Sequence, residues 1–340
     1  MPLLPWLLAA SLSGPDLSAL EATFNRIVGG ARAEVGVALI HLESGARLAI
    51  RGDERFPMAS VYKLPIAIEL LTQVSQRRIE MTREVTLGPS DIRACCTLSR
   101  RHPRGGVAMT VAELLELMIV ESDNTASDAV LKLVGGPAVV QQRMRALGFT
   151  AINVNRYEGQ TLLEMAGVQQ PPPETEWTLE LERRLISEVP ISEVMAARAR
   201  YTRDPRDTAT PDEMARLLGR LQLGNLLPAE QSNLLLDLMA RAKTGPQRIK
   251  ALLPRDTIVA HKTGTTDVVI NDVGIVTLPD DSAIAGHIVL AVFVMNGQRV
   301  SAMQRTIAQL SGAAFEFFTG KPLPKPEKPK GAPKKRRPKR

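Results

Sequence analysis

The segments that most restrict how this chain can fold lie at its two ends. Val35 to Leu42 and Arg47 to Arg51 are apolar and extended in character, joined by Glu43-Ser44-Gly45-Ala46, the composition of a tight hairpin connection. Far down the chain, Thr257 to Thr263, Asp272 to Leu278 and His287 to Val294 are again strand-like, with Pro279-Asp280-Asp281 and Asn296-Gly297 as turns. Leu17, Leu20, Phe24 and Ile27 mark an opening helix stopped by Gly29-Gly30, and Met303, Ile307, Leu310, Ala314 and Phe318 mark a closing one. Strands must pair, and the intervening sequence is helical in pattern. The economical assembly is an α/β chain of the α+β kind: one five-stranded antiparallel sheet built from both chain ends, flanked by helices, with an all-helical domain inserted between its second and third strands. Residues 15–53 and 207–320 then form the sheet domain and 54–206 the helical one. A cleft between them is the natural binding site.

Within the insertion, Thr110 and Glu113 form a capping box ahead of Leu114, Leu115, Leu117, Met118 and Ile119. Asn124 to Val134 is a further helix stopped by Gly135-Gly136, and Pro137 starts another that ends at Gly148. Residues 159–206, with Pro171-Pro172-Pro173 and two acidic clusters, read as an exposed excursion carrying one or two short helices around Pro190. Helical pattern resumes at Pro211 to Leu227 and Gln231 to Ala242.

Charge needs to be divided along the chain before it means anything. The net +7 resides in residues 321–340, where ten Lys/Arg face the single acid Glu327, so the body is slightly acidic. That Pro/Lys-rich tail is expected to be disordered, with at most a loose attraction to anionic envelope polymers and no specific nucleic-acid site. Aromatics at 4% argue against a sugar- or base-stacking surface. Residues 1–14, with Leu3, Leu4, Trp6, Leu7, Leu8 and then Ser11, Ser13 and Gly14, resemble a secretory leader, so a periplasmic or secreted protein is expected. A monomer is expected.

Three short motifs carry the chemistry. Ser60-Val61-Tyr62-Lys63 stands where an apolar run begins, and a spacing of three places hydroxyl and amine on one helical face about one turn apart. A lysine held partly neutral by burial or a neighbouring cation can take the serine proton. Alone this spacing says little. It is followed by Ser122-Asp123-Asn124 and Lys262-Thr263-Gly264, and all three in order arise by accident in far fewer than about 1 in 1000 chains.

Together these motifs resemble the class A serine β-lactamases and the related penicillin-binding D,D-peptidases, over nearly the whole span from Leu17 to Gly320. Phe56-Pro57-Met58 and Asn124-Thr125-Ala126 look like class A sequences too. The resemblance implies that Ser60 is acylated, Lys63 helps to deprotonate it, and Ser122 relays a proton to the leaving nitrogen. It implies that Asn124 holds the substrate amide, and that Lys262, Thr263 and Thr265 bind its carboxylate. Lys262 would also lower the pKa of Lys63. Gly264 would let the ligand lie against the strand edge, and the N–H groups of Ser60 and Thr265 would form the oxyanion hole. Arg156-Tyr157-Glu158 looks like the start of the class A omega loop, about residues 154–206, which makes Glu158 the base for the deacylating water and Glu164 the reserve.

The chain departs from the family pattern in three places. Leu162 stands where an asparagine would help to hold the water. The Asp207-Thr208-Ala209-Thr210-Pro211 exit of the loop comes after some three dozen inserted residues, relative to the family pattern. Val273 looks like the position where many members carry an arginine. Arg248, in Thr244-Gly245-Pro246-Gln247-Arg248, resembles the alternative source of that guanidinium, the competing reading being a solvated surface arginine. The implied function is hydrolysis of β-lactams through a serine acyl-enzyme. A D,D-carboxypeptidase acting on peptidoglycan and a β-lactam sensor without turnover are the alternatives.

Other features point to no further chemistry. His41, His102, His261 and His287 are scattered without ligand spacing, so neither a metal nor a cofactor is expected, and strand alternation turns His261 away from the Lys262 side. There is no GxGxxG or phosphate loop. The adjacent Cys95 and Cys96 are read as buried thiols, with a strained vicinal bridge as the alternative.

Overall fold

A computed structural model of the chain describes residues 14–324. The leader-like stretch and most of the basic tail lie outside them. Helix α1 (Ser18–Gly30) leads into β1 (Glu34–His41) and β2 (Arg47–Ile50), a hairpin in register Leu39 to Leu48. The short β3 (Phe56–Pro57) and a 3-10 turn (Ala59–Tyr62) deliver the chain to α2 (Lys63–Ser75). Next come β4 (Glu84–Leu87), α3 (Cys96–Arg101), β5 (Val107–Thr110), α4 (Val111–Glu116), a π-helical turn (Leu117–Glu121), α5 (Asn124–Leu133) and α6 (Pro137–Ala146). The Thr110 capping box forms as expected, its hydroxyl accepting from the Glu113 N–H at 3.3 Å.

The long excursion folds as α7 (Glu158–Met165), α8 (Leu179–Ser187) and α9 (Ile191–Tyr201). After β6 (Thr208–Ala209), which pairs with β3, the chain runs through α10 (Pro211–Gln222), α11 (Ala229–Ala240), β7 (Val259–Thr265), β8 (Val269–Thr277), β9 (His287–Met295) and α12 (Val300–Thr319). The main sheet has the order β2-β1-β9-β8-β7, all antiparallel, so the two chain ends meet where β1 pairs with β9.

Strict alternation divides the core in two. Ala38, Val289, Ala291 and Phe293 face the helical layer around α2, α4 and α5, while Val37, Leu39, Ile288, Leu290 and Val292 face α1 and α12. Besides the two-residue β3, the helical layer carries a further addition to the expectation of an all-helical insertion. Glu84–Leu87 and Val107–Thr110 pair as a two-stranded antiparallel ribbon. Each is four residues long and they lie far apart in sequence, too short a signal to separate from loop. Among the described residues, no helix is long and apolar enough to cross a membrane.

Candidate active site

Strand β7 is an edge strand, and its outer edge forms one wall of a cleft of about 440 Å³ between the sheet and the helical layer. The Thr266 N–H donates to Val269 O at 2.8 Å, inside the ladder. By antiparallel alternation the Thr265 N–H therefore points out of the ladder toward the cleft. Facing it is Ser60, half-buried in the 3-10 turn that precedes α2. Residues three apart eclipse one another in 3-10 geometry, so Lys63 at the first turn of α2 follows the serine onto the same side.

Gly264 explains how that turn comes so close. A Cβ there would stand 2.3 Å from the Met58 carbonyl oxygen and 3.2 Å from Ala59 Cβ. The glycine thus makes room for the backbone that leads into the serine. Asn271 on β8, invisible as a functional residue in the sequence, ties down the same stretch. Its side-chain amide donates to Pro57 O at 2.8 Å and Met58 O at 3.1 Å. Ala59 is held at φ 45°, a left-handed conformation consistent with this tight packing.

Both lysines are fully buried and both are hydrogen-bonded. The Lys63 Nζ donates to Ser122 O at 2.7 Å and Asn124 Oδ1 at 2.8 Å. The Lys262 Nζ donates to Ser122 Oγ at 2.8 Å and Thr263 O at 3.0 Å. Ser122 reaches this position because the π-helical turn ends on it with φ 59°. Burial pulls the pKa of Lys63 down, against the attraction of Glu158. Burial first, and the nearby Lys63 cation second, push Lys262 well below the ordinary lysine value. The expectation that Lys262 depresses Lys63 is thus amended: desolvation is the main influence on both. Asn124 is capped in turn, its Nδ2 donating to Ala94 O at 3.3 Å.

Glu158 opens α7 and faces the same cleft as Ser60 and Ser122. Its backbone N–H donates to Asp128 Oδ1 at 2.7 Å, and the Gly159 N–H donates to Asp128 Oδ2 at 3.1 Å. Asp128, also unanticipated, is buried and paired with Arg93 Nε at 2.7 Å. Burial raises the Glu158 carboxyl above the usual carboxylate range; the Lys63 cation opposes this and Asp128 adds to it. Leu162, one turn on, presents hydrocarbon to the cleft.

Glu164 does not join the site. Burial would raise its pKa, but Arg156 Nη1 at 2.6 Å and Arg206 Nη2 at 2.8 Å hold its carboxyl below the ordinary range, outside the catalytic cleft. Arg156 also binds Asp207 Oδ2 through Nε at 2.6 Å, closing the neck of the loop that carries the inserted helices. At its far side, Arg198 of α9 pairs with Asp267 in the β7–β8 turn, an exposed ion pair that links the insertion to the cleft mouth.

Arg248 is buried, not solvated. Its Nη2 donates to Thr265 Oγ1 at 2.6 Å and its Nη1 to Asn271 O at 2.7 Å, which sets a guanidinium beside the carboxylate-binding threonine. Val273 pairs with Lys262 across the ladder and is wholly enclosed. Thr263 exchanges a hydrogen bond of 2.6 Å with Thr244. His261 pairs with Asp272 at 2.8 Å and is buried.

Cys95 and Cys96 depart from expectation. They are bonded to each other, and neither is buried; both line the cleft next to Ser122. Both take positive φ, 85° and 80°, a backbone state that the sequence does not announce. Among the described residues there is no cluster able to hold a metal ion.

A half-buried serine beside a desolvated lysine, with a second hydroxyl under a second lysine and a carboxyl enclosed opposite, is the cleft of a serine hydrolase suited to acyl transfer on an amide. Known proteins agree. The model of the beta-lactamase enzyme family matches residues 19–318, and the chain belongs to that family. It is 28% identical over 324 residues to the extended-spectrum beta-lactamase PER-1 of Pseudomonas aeruginosa, covering 92% of each chain. It is 31% identical over 252 residues to a beta-lactamase of Mycobacterium tuberculosis, covering 73% of this chain and 69% of that one. Among solved structures, an ancestral (GNCA) class A beta-lactamase superposes with a TM-score of 0.71 at 31% identity, covering 88% of this chain and all of the other.

Proposed function

We propose that the chain hydrolyses β-lactams through an ester on Ser60. The observation that carries this is the enclosure of Glu158 in the cleft of Ser60, Lys63 and Ser122, which gives one site both an acylating and a deacylating half. In acylation, the Ser60 Oγ attacks the lactam carbonyl carbon while Lys63, whose pKa burial lowers, accepts its proton in its neutral form. The developing oxyanion is met by the N–H groups of Ser60 and Thr265, a type of contribution worth about 3 to 4 kcal/mol of barrier. As the C–N bond breaks, Ser122, hydrogen-bonded to Lys262, passes a proton to the nitrogen. Lys262, Thr265 and Arg248 form a cationic, hydroxyl-bearing patch suited to the substrate carboxylate, and Asn124 is placed for its side-chain amide.

Deacylation needs a water activated by Glu158, whose raised pKa makes its carboxylate a stronger base than an ordinary glutamate. The hydrocarbon of Leu162 in that same space favours a second reading, a penicillin-binding peptidase that acts on peptidoglycan stems and is trapped by penicillin. Counting ring-opened product per enzyme, with intact mass in parallel, separates the two. Catalytic product with a transient adduct supports the lactamase; a long-lived one-to-one adduct supports the peptidase or a sensor. Absence of any adduct and product overturns both.

We further propose a monomer acting in the periplasm or outside the cell, a reading supported by the leader-like run from Leu3 to Ala10. The basic residues from Lys325 to Arg340 suit loose contact with anionic envelope polymers.

A further inference from the structure

The wall of the cleft built by α7 and the inserted helices is mostly hydrocarbon, contributed by Leu162, Met165, Ala166, Ile186 and Val194. A water held for attack needs two to four polar partners, and Glu158 can supply only an acceptor. The polar groups near this wall are nearly all committed. The Thr161 hydroxyl donates back to Tyr157 O at 3.3 Å, and Arg198 is paired with Asp267. Asp207 is bound to Arg156 and to the Asn155 N–H. On the other side of Glu158, the Tyr62 hydroxyl shares a hydrogen bond of 3.1 Å with Ser127 and also reaches the Glu158 carboxyl.

Tyr201 remains. It is the last residue of α9, contributed by the insertion, with its ring 95% buried in the core shared by Phe56, Met58 and Val61. It lines the cleft with Ala59, Ser60, Glu158 and Leu162. Its phenolic oxygen lies near the Ala59 backbone, next door to the nucleophile. A phenol that keeps its proton can donate it to a partner in the cleft.

We propose that the Tyr201 hydroxyl positions the deacylating water between Glu158 and the Ser60 ester, in the place that Leu162 leaves without a polar group. The inference rests on the acyl-enzyme reading above. Tyr201 donates to one lone pair of the water; the other lone pair forms the new bond to the ester carbon. Glu158 takes one water proton, the bond from that carbon to Ser60 Oγ breaks, and the proton held by Glu158 passes to Ser60 Oγ, which restores the carboxylate and the free serine. Tyr201 keeps its proton throughout, as a positioning residue. Burial, reinforced by Glu158, raises its pKa and keeps the phenol in the donor form.

The test is Tyr201→Phe, which keeps the buried ring, alone and combined with Leu162→Asn, assayed with a chromogenic cephalosporin and a penicillin. Tyr201→Phe is expected to lower kcat by about tenfold to a hundredfold and to accumulate acyl-enzyme by intact mass, with kcat/KM within about twofold of wild type. Leu162→Asn in the Tyr201→Phe background is expected to restore most of the lost kcat. Unchanged kcat, or kcat and kcat/KM falling together with the melting temperature and without rescue, overturns the proposal. Wild-type turnover and trapping by Glu158→Gln are run alongside. If these succeed while Tyr201→Phe does nothing, only the tyrosine is misassigned; if the wild type gives no product, the acyl-enzyme cycle itself falls and this proposal with it.

Discussion

Lys262 on β7 donates to the hydroxyl of Ser122, 140 residues earlier in the chain, at 2.8 Å, and this hydrogen bond joins the sheet to the helical layer across the cleft. The same Lys262 nitrogen donates to Thr263 O at 3.0 Å, which fixes it beneath the cleft wall formed by Thr263 and Thr265. Lys262→Ala is therefore expected to lower kcat/KM by about a hundredfold or more, as for loss of a positioned acid–base group. Steady-state kinetics on a β-lactam bearing a free carboxylate checks this; a loss below about fivefold would separate Lys262 from the relay.

The pH dependence follows from the two shifted groups. Burial raises the Glu158 pKa, so kcat, where deacylation limits it, should fall on acidification at a pH above the ordinary glutamate value of about 4.3. Burial lowers the Lys63 pKa, so the neutral amine appears, and kcat/KM rises, at a pH below the ordinary lysine value of about 10.4. Profiles of the two parameters should thus show different limbs, and Glu158→Gln should remove the acidic limb from kcat alone.

Asp128 serves structure and site together. It neutralises the buried Arg93, whose guanidinium also stacks 4.8 Å from the Trp177 ring centroid, and it holds the first two N–H groups of α7. Asp128→Ala strips the buried Arg93 of its hydrogen-bonded carboxylate and leaves it only the more distant Glu174 at 3.9 Å; breaking a buried pair of this kind typically costs about 3 to 5 kcal/mol. At roughly 2 to 4 °C per kcal/mol for a domain of comparable size, thermal unfolding should drop by about 6 to 20 °C. A drop under about 2 °C would mean that the α7 start is fixed by other contacts.

Gly264→Ala places a methyl group against the Met58 carbonyl. Overpacking of this kind costs about 1 to 3 kcal/mol, and relief must displace either β7 or the turn that carries Ser60. Acylation should therefore slow more than stability falls, and acylation at the wild-type rate in a folded Gly264→Ala protein would contradict the close packing.

What could be read from the sequence was local or periodic. The apolar, extended character of Val35–Leu42 and His287–Val294 marks the paired centre of the sheet, and the three motifs mark the side chains that meet in the cleft. What could not be read depends on contacts without a period. The Asn271 amide reaches backbone 214 residues away, and Asp128 looks like any acid inside a helix until the start of α7 arrives over it. The usual preference of cysteine for the interior places Cys95 and Cys96 in the core, whereas both stand at the cleft rim with positive φ. Tyr201 sits in an excursion whose composition suggested exposure, yet α9 folds back onto the core.

The most direct measurement is the site and fate of the adduct. Glu158→Gln exposed to a penicillin should gain one penicillin mass per chain, and peptide mapping should place it on Ser60, with Ser60→Ala unlabelled under the same conditions. Labelling that persists in Ser60→Ala, or an adduct that maps elsewhere, would contradict the account.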